Sequence, residues 1–161
     1  MHNLQEGVRE FMLGAGDTVG KFNPDQACRY MGYQIEEMAE KIKAAADGAL
    51  NASDRAYLMQ AAANIDALGK QFKAGEFVGA VGRADHDKLI DADFDLAFTS
   101  LGALNSTSID TDGAIHEGCR SNLAKLVDGK VIRDAHGKIQ KPAGWTPPDF
   151  RPFVDPNVKG D

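Results

Sequence analysis

The stretch NPDQACRYMGYQIEEMAEKIKAAADG, residues 23–48, decides the fold of this chain. Apolar side chains recur in it at alternating steps of three and four residues, the period of a helix with one apolar face. The residues on this stripe are Cys28, Met31, Ile35, Met38, Ile42 and Ala45. Because Asn23 can cap the first turn and Pro24 suits the first helical position, the stretch predicts a long helix that ends near Gly48.

Four more helices are predicted on either side of this one. The first covers residues 4–15, and its apolar face carries Val8, Phe11, Met12 and Ala15. A third helix begins at a Ser53-Asp54 cap and weakens near Gly69. A fourth covers residues 85–104, and a fifth begins at a cap within residues 110–112. Three glycines leave residues 75–83 without an assignment.

The composition changes after residue 127. The turn dipeptides Asp128-Gly129 and His136-Gly137 flank Val131 and Ile132, which predicts a short β-hairpin. Five of the six prolines fall within the last twenty residues and predict an extended arm outside the core. Because there is neither an internal repeat nor a second-domain boundary, we expect one all-α domain over residues 1–161, with hairpin and arm at residues 127–161.

The overall composition excludes several classes of protein. With 18 basic and 24 acidic residues the chain carries a formal charge of −6, which argues against binding a nucleic-acid polymer through its phosphates. Two cysteines are too few for a disulfide framework or a zinc ribbon, and Cys28 is expected in the core. The first residues do not read as a secretion signal, and no apolar run is long enough to span a membrane. We expect a soluble protein of the reducing cytoplasm that binds no membrane.

Two clusters of carboxylates lie on the predicted helices. Glu36, Glu37 and Glu40 share the arc opposite the apolar stripe, which in isolation is usually a solvated face. Asp91 and Asp95 share one side of the fourth helix within an apolar run, where burial is costly without a partner or a metal. A pair of surface acids explains Asp91 and Asp95 equally well. Since oxygen ligands suit Mg²⁺ or Mn²⁺, the two clusters together indicate a hard-metal enzyme.

Several motifs, in this order and spacing, carry a resemblance to a known family. They are EEMAE at residues 36–40, DADFDL at 91–96 and HEGCRSNLAK at 116–125, with VREF at 8–11, DGK at 128–130, GKIQKP at 137–142 and PPD at 147–149. Together they resemble the all-α nucleoside triphosphate pyrophosphatase superfamily, which includes MazG, dimeric dUTPase and phosphoribosyl-ATP pyrophosphohydrolase. The resemblance is strongest to the short phage-type, MazG-like branch and spans nearly the whole chain.

This resemblance implies a MazG-like helical bundle and a metal site. The family's E-x-x-E element falls on Glu37 and Glu40, with Glu36 as a neighbouring ligand or water-orienting base. The aspartate of its E-x-x-D element falls on Asp95, but Ala92 stands in the glutamate position, and Asp91 is the substitute on the same face. The implied cofactor is Mg²⁺ or Mn²⁺, with two or more ions per site, and the three glutamates are the implied catalytic residues.

Phosphate-binding residues are predicted further along the chain. Asn122 and Lys125 lie three residues apart and can hold triphosphate oxygens, although a capping Asn and a helix-end Lys are an equal alternative without the resemblance. Lys138 and Lys141 follow a turn and can close over the phosphates from the same or a neighbouring subunit; a solvated hairpin is the alternative. Trp145 can stack on a base or dock on a partner subunit.

The resemblance implies a metal-dependent (deoxy)nucleoside triphosphate diphosphohydrolase that gives (d)NMP and pyrophosphate. We expect a purine substrate, dGTP or GTP as in the MazZ group of the family, and a homodimer or a dimer of dimers in a host cytoplasm if a phage encodes the chain. A non-catalytic acidic helical adaptor that binds a basic partner is the alternative. A di-iron bundle is disfavoured because the sequence has no Glu-x-x-His pair.

Overall fold

The computed structural model describes residues 3–107, 109–135 and 138–155. These residues form six α-helices and one two-stranded antiparallel sheet, so the chain is mostly helical, as predicted. The helices are α1 Leu4–Gly14, α2 Pro24–Asp47, α3 Ala52–Lys73, α4 Val78–Arg83, α5 His86–Asn105 and α6 Thr111–Leu123. The strands are β1 Leu126–Val127 and β2 Lys130–Val131, and a 3₁₀ turn covers Arg151–Phe153.

Side-chain caps fix where the helices begin. Asn23 and Asp110 cap α2 and α6, as the sequence predicts. The predicted cap of α3 at Ser53-Asp54 is wrong, because Asn51 accepts a hydrogen bond of 2.8 Å from the backbone N–H of Asp54. Asp54 therefore lies in the first turn, where a carboxylate complements the positive end of the helix.

The chain divides into two compact units. The central unit covers residues 21–85 and contains α2, α3 and α4, whereas the terminal unit covers residues 1–20 and 86–161. The prediction of a single domain stays a prediction. None of the helices in the described part of the chain has both the length and the apolar character required to cross a membrane.

In the central unit, α2 and α3 pack through a seam of small residues. The buried side chains and glycines of this seam are Cys28, Gly32, Ala39, Ala46, Ala62 and Gly69. A Cβ added to Gly32 would lie 2.8 Å from the backbone oxygen of Gly69, so the two backbones approach closely. The predicted stripe is therefore only partly correct, because Cys28 is buried as expected but the bulkier Met38 is 46% exposed at the flank of the seam.

In the terminal unit, α1 packs on α6 through its glycine face. A Cβ at Gly7 would lie 2.8 Å from Sγ of Cys119, and one at Gly14 would lie 2.8 Å from the backbone oxygen of Gly129. The predicted apolar face of the first helix is wrong at Val8, which is 47% exposed. The helix turns its glycines inward because they allow the closest approach, to α6 at Gly7 and to the turn after β1 at Gly14.

The predicted hairpin forms directly after α6. Asp128 and Gly129 both have positive φ, 50° and 74°, which is the requirement of the two-residue turn that suits the twist of β1 and β2. A separate, isolated antiparallel bridge joins Arg133, which follows β2, to Ile139. The second predicted turn, at residues 136–137, lies outside the described residues.

The proline-rich arm is irregular, as predicted, but it is not detached from the helices. The ring of Phe153 lies where a side chain at Gly113 of α6 would be, and the backbone N–H of Asp110 donates to the oxygen of Phe153 at 2.8 Å. A bridge between Ile109 and Val154 adds a second backbone contact. The expectation that the whole arm lies away from the core is therefore wrong for residues 145–154.

Candidate functional site

The three predicted catalytic glutamates lie on α2 of the central unit. Glu37 and Glu40 are exposed, whereas Glu36 is half-buried beside the α2–α3 seam. Oε2 of Glu36 lies 2.7 Å from Nζ of Lys73, which also lies over the ring of Tyr33 at 5.5 Å from its centroid. A cation from α3 therefore already balances one of the predicted ligands.

Sequence reasoning missed one further carboxylate near this seam, that of Asp66 on α3. Its Oδ2 accepts a hydrogen bond of 2.7 Å from Lys70, and this bond is the main reason that the pKa of Asp66 is lowered. The charges of Lys43 and Lys73 act in the same direction, and Lys70 also feels the charge of Glu36. The spacing of four residues between Asp66 and Lys70 is a sequence signal for such a pair.

The two predicted aspartate ligands lie on α5 of the terminal unit. Asp91 and Asp95 are exposed, and α5 contains no buried residue. The apolar side chains beside them are exposed as well, since Ile90, Phe94 and Phe98 retain 67%, 65% and 68% of their surface. The premise that burial makes these two acids costly is therefore wrong for α5 as described.

The predicted metal ligands are oxygen donors only, which fits Mg²⁺ or Mn²⁺ and does not fit zinc. Within the described ranges, no three His, Cys, Asp or Glu side chains are arranged to hold an ion. Glu36, Glu37 and Glu40 belong to the central unit, and Asp91 and Asp95 belong to the terminal unit. That these five residues share ions stays a prediction.

Three of the four predicted phosphate-binding residues lie together in the terminal unit. Nζ of Lys125 donates to Oδ1 of Asn122 at 2.7 Å and lies 5.8 Å from the ring centroid of Trp145. Nζ of Lys141 lies over the same ring, at 4.2 Å from its centroid. Lys138 is exposed, and no contact described for its side chain joins it to this group. We call Asn122, Lys125, Lys141, Trp145 and Phe11 the Trp145 cluster.

The arm is held on α6 by a second, charged set of contacts. Glu117 accepts hydrogen bonds of 2.6 and 2.7 Å from the guanidinium of Arg120 and one of 2.9 Å from the backbone N–H of Asp149. These bonds lower the pKa of Glu117 to about 2. Arg120 also donates to the backbone oxygen of Pro147 at 3.3 Å, so this pair connects α6 with the arm.

No family model matches this chain, and neither the curated proteins nor the solved structures contain a match to it. The membership implied by the sequence motifs therefore stays a prediction. Among the described residues, the predicted site residues are of two main kinds: carboxylates on α2 and α5, and ammonium groups around Trp145.

Proposed function

We propose that this protein is a Mg²⁺- or Mn²⁺-dependent (deoxy)nucleoside triphosphate diphosphohydrolase, which cleaves between the α and β phosphates and releases (d)NMP and pyrophosphate. The observation that carries the proposal is the Trp145 cluster, in which two ammonium groups and an amide gather around one partly exposed indole ring. Such a cluster suits phosphate oxygens, because charge-assisted hydrogen bonds to them are strong. The motif resemblance supplies the reaction class.

The carboxylates of both clusters are proposed to hold the divalent ions. Glu36, Glu37 and Glu40 would act from α2, and Asp91 and Asp95 from α5. When bound, the ions would polarise the phosphate oxygens and make an attacking water more acidic. A glutamate of α2 would orient that water, while Asn122 and Lys125 restrain the distal phosphates.

The proposed substrate is a purine nucleotide, with dGTP or GTP first, and this choice rests on the resemblance alone. The competing proposal is a non-catalytic adaptor whose acidic faces bind a basic partner. The exposed carboxylates of α2 and α5 fit an adaptor as well, but the ammonium groups around Trp145 do not, because they would repel a basic partner.

We also propose that two or more copies of the chain assemble. The apolar side chains of α5 form an exposed stripe that includes Ile90, Phe94 and Phe98, and stripes of this kind mark interaction surfaces. The acids of α5 lie in its first half, up to Asp95, whereas its second half is uncharged. Two α5 helices that pair in antiparallel fashion around Phe94 and Phe98, near the middle of the helix, would place the acidic first half of each opposite the uncharged second half of the other. The proposed assembly is therefore a homodimer or a dimer of dimers.

The experiment that tests the function is an assay of the purified protein with each NTP and dNTP and Mg²⁺. We expect release of pyrophosphate and NMP without NDP, and fastest turnover with a guanine nucleotide. Release of orthophosphate and NDP would indicate cleavage at the γ phosphate and contradict the proposal. Absence of turnover with every nucleotide and with either metal would favour the adaptor.

A further inference from the structure

The ring of Trp145 has a fixed position on α6. Its Nε1–H donates to the backbone oxygen of Ser121 at 2.7 Å, and Oγ of Ser121 donates to the backbone oxygen of Thr146 at 3.1 Å. Ser121 is only 2% exposed, so little water competes for these two bonds. The indole is therefore held by the helix end, and its orientation does not depend on a ligand.

A tight turn fixes Lys141 relative to this ring. The backbone N–H of Trp145 donates to the oxygen of Pro142 at 3.0 Å, and Gly144 has a φ of 82°, as the third position of a type II turn requires. Lys141 directly precedes the turn, and its ammonium lies over the ring face. Among the described residues, Lys141 has no carboxylate within ion-pair distance.

The second ammonium belongs to Lys125, which follows the C-cap of α6. Nζ of Lys125 lies 5.8 Å from the centroid of Trp145, 5.9 Å from that of Phe11 and 2.7 Å from Oδ1 of Asn122. Aromatic faces and amide oxygens attract an ammonium without carrying a net charge of their own. These contacts therefore orient both ammonium groups around the indole.

We propose that Trp145 is a positioning residue that holds Lys125 and Lys141 together as a two-ammonium site for the polyphosphate chain of the substrate. Nζ of Lys125 lies 5.8 Å and Nζ of Lys141 lies 4.2 Å from one ring centroid, so the two ammonium groups are close enough for the length of a triphosphate to reach both. The inference rests on the proposed function and deepens it. Since Lys141 covers a ring face on which a base would stack, the site selects for phosphate number and does not read the base.

The single tryptophan of the chain makes the first test specific to this site. Inorganic tripolyphosphate is added to the full chain without metal or nucleotide while the fluorescence of Trp145 is recorded. We expect a saturable change that weakens with added salt, and binding about tenfold tighter than that of orthophosphate. Equal binding of the two anions, or no binding of tripolyphosphate, would overturn the proposal.

The second test separates positioning from charge, with calorimetry as the readout. We expect K141A to weaken tripolyphosphate binding about tenfold, and W145L to weaken it as much although it retains both lysines. W145F keeps an aromatic face and should retain most of the affinity. K130A, which removes an exposed lysine from β2 of the same unit, is the matched control and should bind like the wild type.

The outcome for this site and the outcome for the enzyme can be distinguished. If K141A binds tripolyphosphate as tightly as the wild type, the inference fails even when the protein releases pyrophosphate from nucleotides. If the wild type binds tripolyphosphate through Lys141 but turns over no nucleotide, the inference stands and the proposed function fails. Because Lys141 is exposed, K141A tests the site even if W145L does not fold.

Discussion

At the scale of single residues, the proposed metal ligands give the sharpest test of the function. We expect Glu40→Gln or Asp95→Asn to abolish pyrophosphate release while the protein stays folded. Since both side chains are exposed among like charges, loss of one charge should leave the metal-free melting temperature unchanged or raise it. Asp93→Asn, on the same helix as Asp95, is the control and should keep its activity. Near-normal turnover by either variant would show that the substituted residue is not a metal ligand.

The lowered pKa of Glu117 makes a prediction about stability in acid. Its folded pKa of about 2 lies below the ordinary value of 4.5, so the folded state favours the charged form. The resulting stabilisation is fully present above pH 4.5 and is lost as the pH falls towards about 2. We expect Glu117→Gln to lower the unfolding free energy at neutral pH, by an amount that shrinks in this interval.

Urea unfolding at several pH values measures this effect. Asp47→Asn is a suitable control, because it removes a pair with Arg55 in which both side chains are largely exposed, at 3.2 Å, and such pairs contribute little. A constant difference between Glu117→Gln and the wild type from neutral pH down to about 2 would contradict the assigned cause of the pKa shift.

Single residues also show how much of the structure could be predicted from the sequence. The caps at Asn23 and Asp110 were predictable because a cap bonds to backbone N–H groups of the next few residues, although the same local signal misplaced the cap of α3. The approach of Lys125 and Lys141 to one ring was not predictable, because it requires the arm to dock on α6 through Trp145. For the same reason, Trp145 could be recognised as an aromatic residue near the predicted site but not as the ring that both lysines approach.

At the scale of elements, the α2–α3 seam depends on glycine. A Cβ at Gly32 would meet backbone atoms of α3, including the oxygen of Gly69 at 2.8 Å, and backbone cannot move aside as a side chain can. Overpacking costs about 1–3 kcal/mol, which should exceed the gain of up to about 1 kcal/mol from replacing a helical glycine by alanine. We therefore expect Gly32→Ala to lower the free energy of unfolding.

Gly118→Ala provides the matched control for this prediction. Gly118 also lies inside a helix, but a Cβ there would meet nothing within 4 Å. The substitution should therefore stabilise the protein by about 0.5–1 kcal/mol through helix preference alone. Chemical denaturation of both variants gives the comparison, and equal effects at Gly32 and Gly118 would show that the seam tolerates separation of the helices.

The elements themselves were predicted better than their buried faces. Helix length and position follow from local signals, so α2, α5 and α6 lie close to the expected residues. The face that a helix buries depends on the helix against which it packs. Because α3 presents Ala62 and Gly69 at the seam, α2 buries its small residues there and leaves Met38 partly exposed. The docking of Phe153 on Gly113 could not be predicted either, because proline content indicates an extended backbone but does not say which helix that backbone contacts.

At the scale of the whole molecule, the exposed stripe of α5 makes a prediction about assembly. Light scattering should report a mass that is a multiple of 17.3 kDa at micromolar concentration. Replacing both Phe94 and Phe98 by serine should reduce the association while the helical circular dichroism is retained, because neither ring is buried within the chain as described. Leu50→Ser, at a fully exposed loop position, should leave the mass unchanged. A fully active wild-type monomer would contradict the assembly.

The two buried cysteines have a practical consequence for studying the two units. Cys28 lies in the central unit at 0% exposure and Cys119 in the terminal unit at 8%, where burial raises the pKa of its thiol. A thiol reacts through its thiolate and only when a reagent reaches it, so labelling at each cysteine must wait for local opening. Mass spectrometry of the two labelled peptides would then measure the rate of opening of each unit separately, because each unit contains one buried thiol.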